Sequence, residues 1–155
     1  MINEVYYTST DGDWIELKNI GSGQVDVRTW QMCARFSYVQ VGDLTVLDPA
    51  TGQVRSAGEN DFLIGPGEYR VLAAWLDLSD ASDMAIYTST DFANPDDMVD
   101  FVQWGTPDDI GRSDVAAAKG IWAETSPGQY DYVPTATSGQ SCLLYTSDAA
   151  DEKVR

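Results

Sequence analysis

The chain has 155 residues, 43% of them hydrophobic, with five Trp, eight Tyr and four Phe; that is the size of one domain, and so many large apolar side chains offset the ordering entropy, which excludes a disordered chain. Its 25 acidic residues against nine basic ones give a formal charge of −16, with no His; this argues against direct nucleic-acid binding and removes Ser-His-Asp and Cys-His catalysis and His-based zinc sites. No run of about 18 apolar residues occurs, so no membrane span is expected, and the first residues lack the basic start and apolar stretch of a secretory signal.

Residues 2–7 read as a first strand, Asp11-Gly12 as a turn and residues 14–19 as a second strand, with Ile15 and Leu17 facing in and Glu16 and Lys18 facing out. After Gly21-Ser22-Gly23 the apolar phase runs through Val25 and Val27, then Trp30, Met32 and Ala34. A strand repeats every two residues, so this slip predicts a bulge or bend near Arg28-Thr29. Residues 36–47 are expected to continue as β, residues 48–53 to form a hairpin tip around Pro49 and Gly52, and residues 54–60 to be loop.

Gly65-Pro66-Gly67 introduces residues 68–75, apolar on both phases and hence a central strand covered on both faces. Residues 84–88 and 98–104 read as strands around an Asn94-Pro95-Asp96-Asp97 turn, after which the sheet pattern stops. Ser113, three alanines and Gly120 predict one or two helical turns capped by Ser113. Short β runs separated by turn residues at intervals of roughly 8 to 12 residues specify an all-β, antiparallel β-sandwich with at most one short helix. Its expected core holds Val5, Ile15, Leu17, Trp30, Val71, Leu72 and Val102.

Cys33 has no imidazole partner in the sequence and lies on an apolar strand, which reads as a small buried hydrophobe rather than a nucleophile. A glycosidase needs only two carboxyl groups, for which Glu16, Asp100 and Glu124 are candidates, although Glu16 and Asp100 sit inside strands where structural hydrogen bonding is the sharper reading. Calcium has more behind it. Asp77, Asp80 and Asp83 cluster with Ser79 and Ser82, and Asp96, Asp97, Asp108 and Asp109 occupy neighbouring turns, supplying the hard oxygen ligands Ca²⁺ prefers. No D-x-[DN]-x-[DN]-G loop accompanies them, and acidic turns also suit any solvated surface. Trp30 and Trp104 fall on core phases, whereas Trp75 and Trp122 lie near strand ends or loops, where they either pack or offer a face to a sugar or a partner.

Ile2-Asn3-Glu4-Val5, the run from Asp13 through Trp14-Ile15-Glu16-Leu17 to Asn19, the Gly65-Pro66-Gly67 strand start and the run from Val99-Asp100 to Trp104-Gly105 together resemble the lamin tail domain, over residues 2–141. Gly111-Arg112-Ser113 followed by Gly120-Ile121-Trp122 is similar to its bacterial secreted branch. The resemblance implies an immunoglobulin-like sandwich without catalytic residues, located outside the cell or at its surface. Such a module binds neighbouring domains of its parent protein, an extracellular polymer or a surface. Its alternative is a calcium-dependent adhesive or carbohydrate-binding module, with calcium the one candidate cofactor.

Residues 142–152, from Cys142-Leu143-Leu144-Tyr145 onward, resemble the conceptual translation of a transposase-end adapter used in preparing sequencing libraries. The expected division is therefore a native domain over 1–141, truncated at its C-terminal end, and a foreign tail over 142–155. Met1 directly against a strand likewise suggests an excerpt from a longer protein. Without Asp148, Asp151, Glu152, Lys153 and Arg155 the chain still carries 22 acidic against seven basic residues, so the acidity belongs to the domain. Cys33 and Cys142 then give no case for a native disulfide. The apolar start of the tail, residues 142–146, is expected to lie extended along an open sheet edge.

Overall fold

The structure, a computed structural model, describes residues 1–7, 12–55, 58, 61–105, 111–136 and 142–143. Thirteen strands are present among them: β1 (Ile2–Tyr6), β2 (Trp14–Lys18), β3 (Val25–Asp26), β4 (Gln31–Ala34), β5 (Ser37–Gln40), β6 (Val46–Leu47) and β7 (Leu63–Ile64), then β8 (Tyr69–Ala73), β9 (Ser82–Tyr87), β10 (Met98–Trp104), β11 (Glu124–Ser126), β12 (Gln129–Tyr130) and β13 (Cys142–Leu143). A single helix, α1 (Ser113–Lys119), follows β10. One sheet has the order β13-β1-β2-β8-β6 and the other β10-β9-β4-β5, with two-stranded β3-β7 and β11-β12 ribbons beside them. All these strand pairs are antiparallel, giving the all-β sandwich that the turn spacing predicts.

Alternation sorts the side chains into two apolar layers. Between the sheets lie Ile2, Val5, Ile15, Leu17 and Leu72 from one side and Met32, Met84, Ile86, Val102 and Trp104 from the other. The odd phase of the second sheet, Cys33, Ala85, Tyr87 and Phe101, forms a second cluster with Val115 and Ala116 of α1. The helix therefore covers the outer face of that sheet. Its end is set by Gly120, whose left-handed conformation (φ 80°) lets its N–H reach the carbonyls of Ala116 and Ala117. The layers are joined at Asp100: a register shift in β10 between Met98 and Asp100 lets its carboxylate accept the Ile2 N–H at 2.6 Å across the sandwich and the Phe101 N–H at 3.0 Å.

Several sequence expectations are corrected. The run 36–47 is not continuous β, because Val41–Asp43 is a 3-10 turn where the chain leaves one sheet for the other. Gly42 is required there: its N–H donates to the Arg28 carbonyl at 2.9 Å, and a Cβ would meet that oxygen at 2.7 Å. The slip at Arg28-Thr29 is a full break, since β3 pairs with β7 and β4 with β5 and β9. Ser113 is the first helical residue rather than the cap, which is Arg112 without a side-chain capping bond. β structure also continues past residue 104, in β11-β12 and in Val133, which runs parallel beside Trp104. Trp30 is half-buried rather than core, and Tyr69 leaves the outer end of β8 uncovered. The expected extended tail is present at Cys142–Leu143, which pairs with Glu4 and Val5 of β1; residues 144–146 lie outside the described residues.

Candidate functional site

The residues proposed for metal binding do not converge. Asp77 and Asp80 are exposed, whereas Asp83 is fully buried inside β9, and among the described residues no group of three His, Cys, Asp or Glu is placed to hold a metal ion. Asp108 and Asp109 lie outside the described residues. Both Asp83 oxygens serve the fold: Oδ1 accepts the Arg35 N–H at 2.7 Å and Oδ2 the Arg112 N–H at 3.0 Å. Burial pushes its carboxyl pKa up, with these two N–H donors working the other way. Gly111 packs so closely that any Cβ there would run into the Asp83 carboxylate.

What Asp83 holds is the β4-β5 hairpin. Cys33 pairs with Tyr38 and Ala34 with Ser37, so Arg35 and Phe36 form a two-residue turn, and both have positive φ, 49° and 60°. Such turns ordinarily use Asn-Gly, because left-handed backbone costs a bulkier L-residue roughly 1–2 kcal/mol. Here an arginine and a phenylalanine occupy both positions. Phe36 is 54% and Tyr38 40% exposed, large apolar surfaces on an acidic protein.

A cluster assembles around the tip. The Arg112 guanidinium lies 5.0 Å from the Phe36 ring and 5.9 Å from the Tyr38 ring and donates from Nη2 to the Tyr38 hydroxyl at 2.6 Å. Burial works against its charge, but that hydrogen bond and the neighbouring Tyr38, Cys33 and Tyr87 leave its pKa above the ordinary value. Phe92 lies tilted at 31° against Tyr38, ring centroids 4.0 Å apart, and meets Tyr87 edge-on at 5.2 Å. Arg35 donates from Nη1 to Ser79 Oγ at 3.1 Å. Neither arginine forms an ion pair with a carboxylate among the described residues, unlike Arg55, which pairs with Asp61.

Beneath the tip lies an under-satisfied polar layer. Gln103, opposite Asp83 across β9-β10, is fully buried with neither amide atom partnered, and Tyr87 Oη and Arg112 Nε are also buried without partners. Cys33 shares this layer and is buried; burial and then the Asp83 carboxylate push its thiol up to about 11, which makes it inert at neutral pH, as expected of a small hydrophobe.

The carboxylates considered for glycoside hydrolysis are engaged in three different sheets. Glu16 in β2 accepts from Asn3 Nδ2 at 2.7 Å, Asp100 in β10 from Ile2, and Glu124 in β11 from the Gly128 N–H at 2.9 Å. Trp75 and Trp122 are half-buried, their Nε1 donating to Ser37 Oγ at 3.1 Å and the Asp131 carbonyl at 2.7 Å. A concavity of about 170 Å³ opens between the sheets beside Met1, Ile20, Trp30 and Val99, with mainly apolar walls.

The hairpin residues escape a reading of the sequence because Arg35-Phe36 carries no turn residue; the signal available was a charged residue interrupting the apolar run Met32 to Ala34 directly before an aromatic. Compared with known proteins, the chain matches no family model, no curated protein and no solved structure.

Proposed function

We propose that this domain is a non-catalytic, lamin-tail-like binding module of an extracellular protein, and that it engages a polymer, a surface or a neighbouring domain through the β4-β5 hairpin. The observation that carries the reading is the left-handed turn at Arg35 and Phe36. Backbone strain of this kind persists where surrounding structure enforces it, and it concentrates where the side chains serve a partner. Asp83 supplies the enforcement, gripping Arg35 and Arg112 from below. The exposed rings of Phe36 and Tyr38 supply apolar contact area, and two arginines supply directed donors.

Non-catalytic fits the chemistry at hand: the sequence has no His, and the Cys33 thiol is protonated at neutral pH. An extracellular setting fits the dense acidic surface and the resemblance to the secreted branch. The test is a swap of the turn. Replacing Arg35-Phe36 by Asn-Gly retains the hairpin, relieves the backbone, and removes both side chains. Stability should rise, while retention on the polymers or surfaces that hold the unmodified domain should be lost. Retention unchanged by the swap would refute the hairpin as the binding element.

A further inference from the structure

The hairpin tip combines two features that rarely coincide on so acidic a chain. Its Phe36 ring is more than half exposed and, with Tyr38, which Phe92 partly covers, flanks the Arg112 guanidinium at 5.0 and 5.9 Å. Its two cations, Arg35 and Arg112, form no ion pair among the described residues, although the buried Asp83 carboxylate lies close enough to Arg112 to feel its charge. An arginine held beside aromatic rings is kept charged and oriented, and its planar fork matches a carboxylate bidentately. Aromatic rings stack on the apolar C–H face of a pyranose, as they do on other flat apolar surfaces.

Resting on the binding reading above, we propose that the ligand is a polysaccharide bearing carboxylates, a polyuronate, with a sugar face on Phe36 and a uronate carboxylate on Arg35. The net charge of −16 discriminates among anions. It opposes duplex DNA, which carries a charge every 1.7 Å or so, more strongly than a glycan whose charges are separated by a whole sugar ring. At about 0.15 M salt the screening length is about 8 Å, so the acidic surface repels a narrow oligosaccharide confined to the tip less than a duplex whose width extends past it. A neutral glycan offers the Arg35 guanidinium, which makes no ion pair among the described residues, no opposite charge.

Titration calorimetry of the full chain at about 0.15 M salt with oligogalacturonate, a neutral cello-oligosaccharide and a single-stranded oligonucleotide tests this. Oligogalacturonate should bind saturably, with affinity reduced about tenfold or more in both Arg35→Gln and Phe36→Asn, and unchanged in Tyr69→Ala, whose exposed ring lies in the other sheet. Arg35 is exposed and Asn accepts left-handed backbone, so both variants retain the fold, which circular dichroism verifies. Equal binding of the neutral glycan, or hairpin-dependent binding of the oligonucleotide alone, would overturn the polyuronate assignment and leave the hairpin as a binding element. No saturable binding of oligogalacturonate, or binding indifferent to both variants, would also overturn it; the hairpin reading is then judged separately by the Asn-Gly swap.

Discussion

Asp83 organises the site at the scale of single residues, because its two oxygens fix two backbone N–H groups from segments nearly eighty positions apart in sequence. Asp83→Asn leaves one oxygen for two donors and turns its own NH₂ toward the other, so it should destabilise the fold by about 1–3 kcal/mol in denaturant melts; an unchanged midpoint would mean the carboxylate does not hold the hairpin. Gln103 is the opposite case. Its buried amide has no partner, so Gln103→Met, which preserves length and removes the polar atoms, should raise stability by about 1 kcal/mol. A loss of stability there would show that the amide is satisfied in solution.

Among the elements, α1 depends most on its packing. Seven residues are too few for an isolated helix, and Val115 and Ala116 against the outer face of β9-β10 hold it in place. Cys33 lies under that cover, so it should resist a thiol-alkylating reagent in the native domain and become reactive in Val115→Asp, as read by mass spectrometry of the Cys33 peptide. Rapid native labelling would contradict the closed layer. β2 is legible in sequence because its clean alternation reflects the physics that folds it, and β10 because its apolar run is bounded by the Asn94-Pro95 turn and Gly105. The hairpin tip is not. Its turn is imposed by Asp83 in β9, a long-range constraint, and no local rule places Arg35 and Phe36 in left-handed backbone. The calcium candidates failed to group for a related reason: Ser82 and Asp83 read as loop, yet strand pairing with Gln103 and Trp104 draws Asp83 away from Asp77 and Asp80.

At the scale of the molecule, acidity and buried carboxyls act together. Burial raises the pKa of Asp83, Asp13 and Glu16, partly offset by hydrogen bonds from the chain. The folded state therefore holds these protons more tightly than the unfolded state, and the stability they contribute is full below the ordinary carboxylate range and lost as pH rises through the raised values. The self-repulsion of a −16 chain grows over the same range. Asp48, lowered by the Ala50 and Thr51 N–H groups, opposes the trend only from the surface. The Met1 amine, lowered by burial against the raising effect of Asp100, acts oppositely nearer neutrality. Thermal midpoints should thus fall as pH rises from the ordinary carboxylate values, about 4, toward neutrality, with a shallower slope in Asp83→Asn. A midpoint that climbs over this range would count against buried, protonation-favouring carboxyls.

The β4-β5 turn is proposed to bear strain in order to display Arg35 and Phe36, and the thermal midpoint of the Arg35-Phe36 to Asn-Gly variant decides the matter. Relief of two left-handed residues, at roughly 1–2 kcal/mol each, exceeds the stacking of Phe36 on Arg112, about 0.5–1 kcal/mol at an exposed site. The variant should be more stable than the native chain by about 1 kcal/mol or more. A midpoint at or below the native value would show that Arg35 and Phe36 are there to stabilise the hairpin, and would contradict the claim.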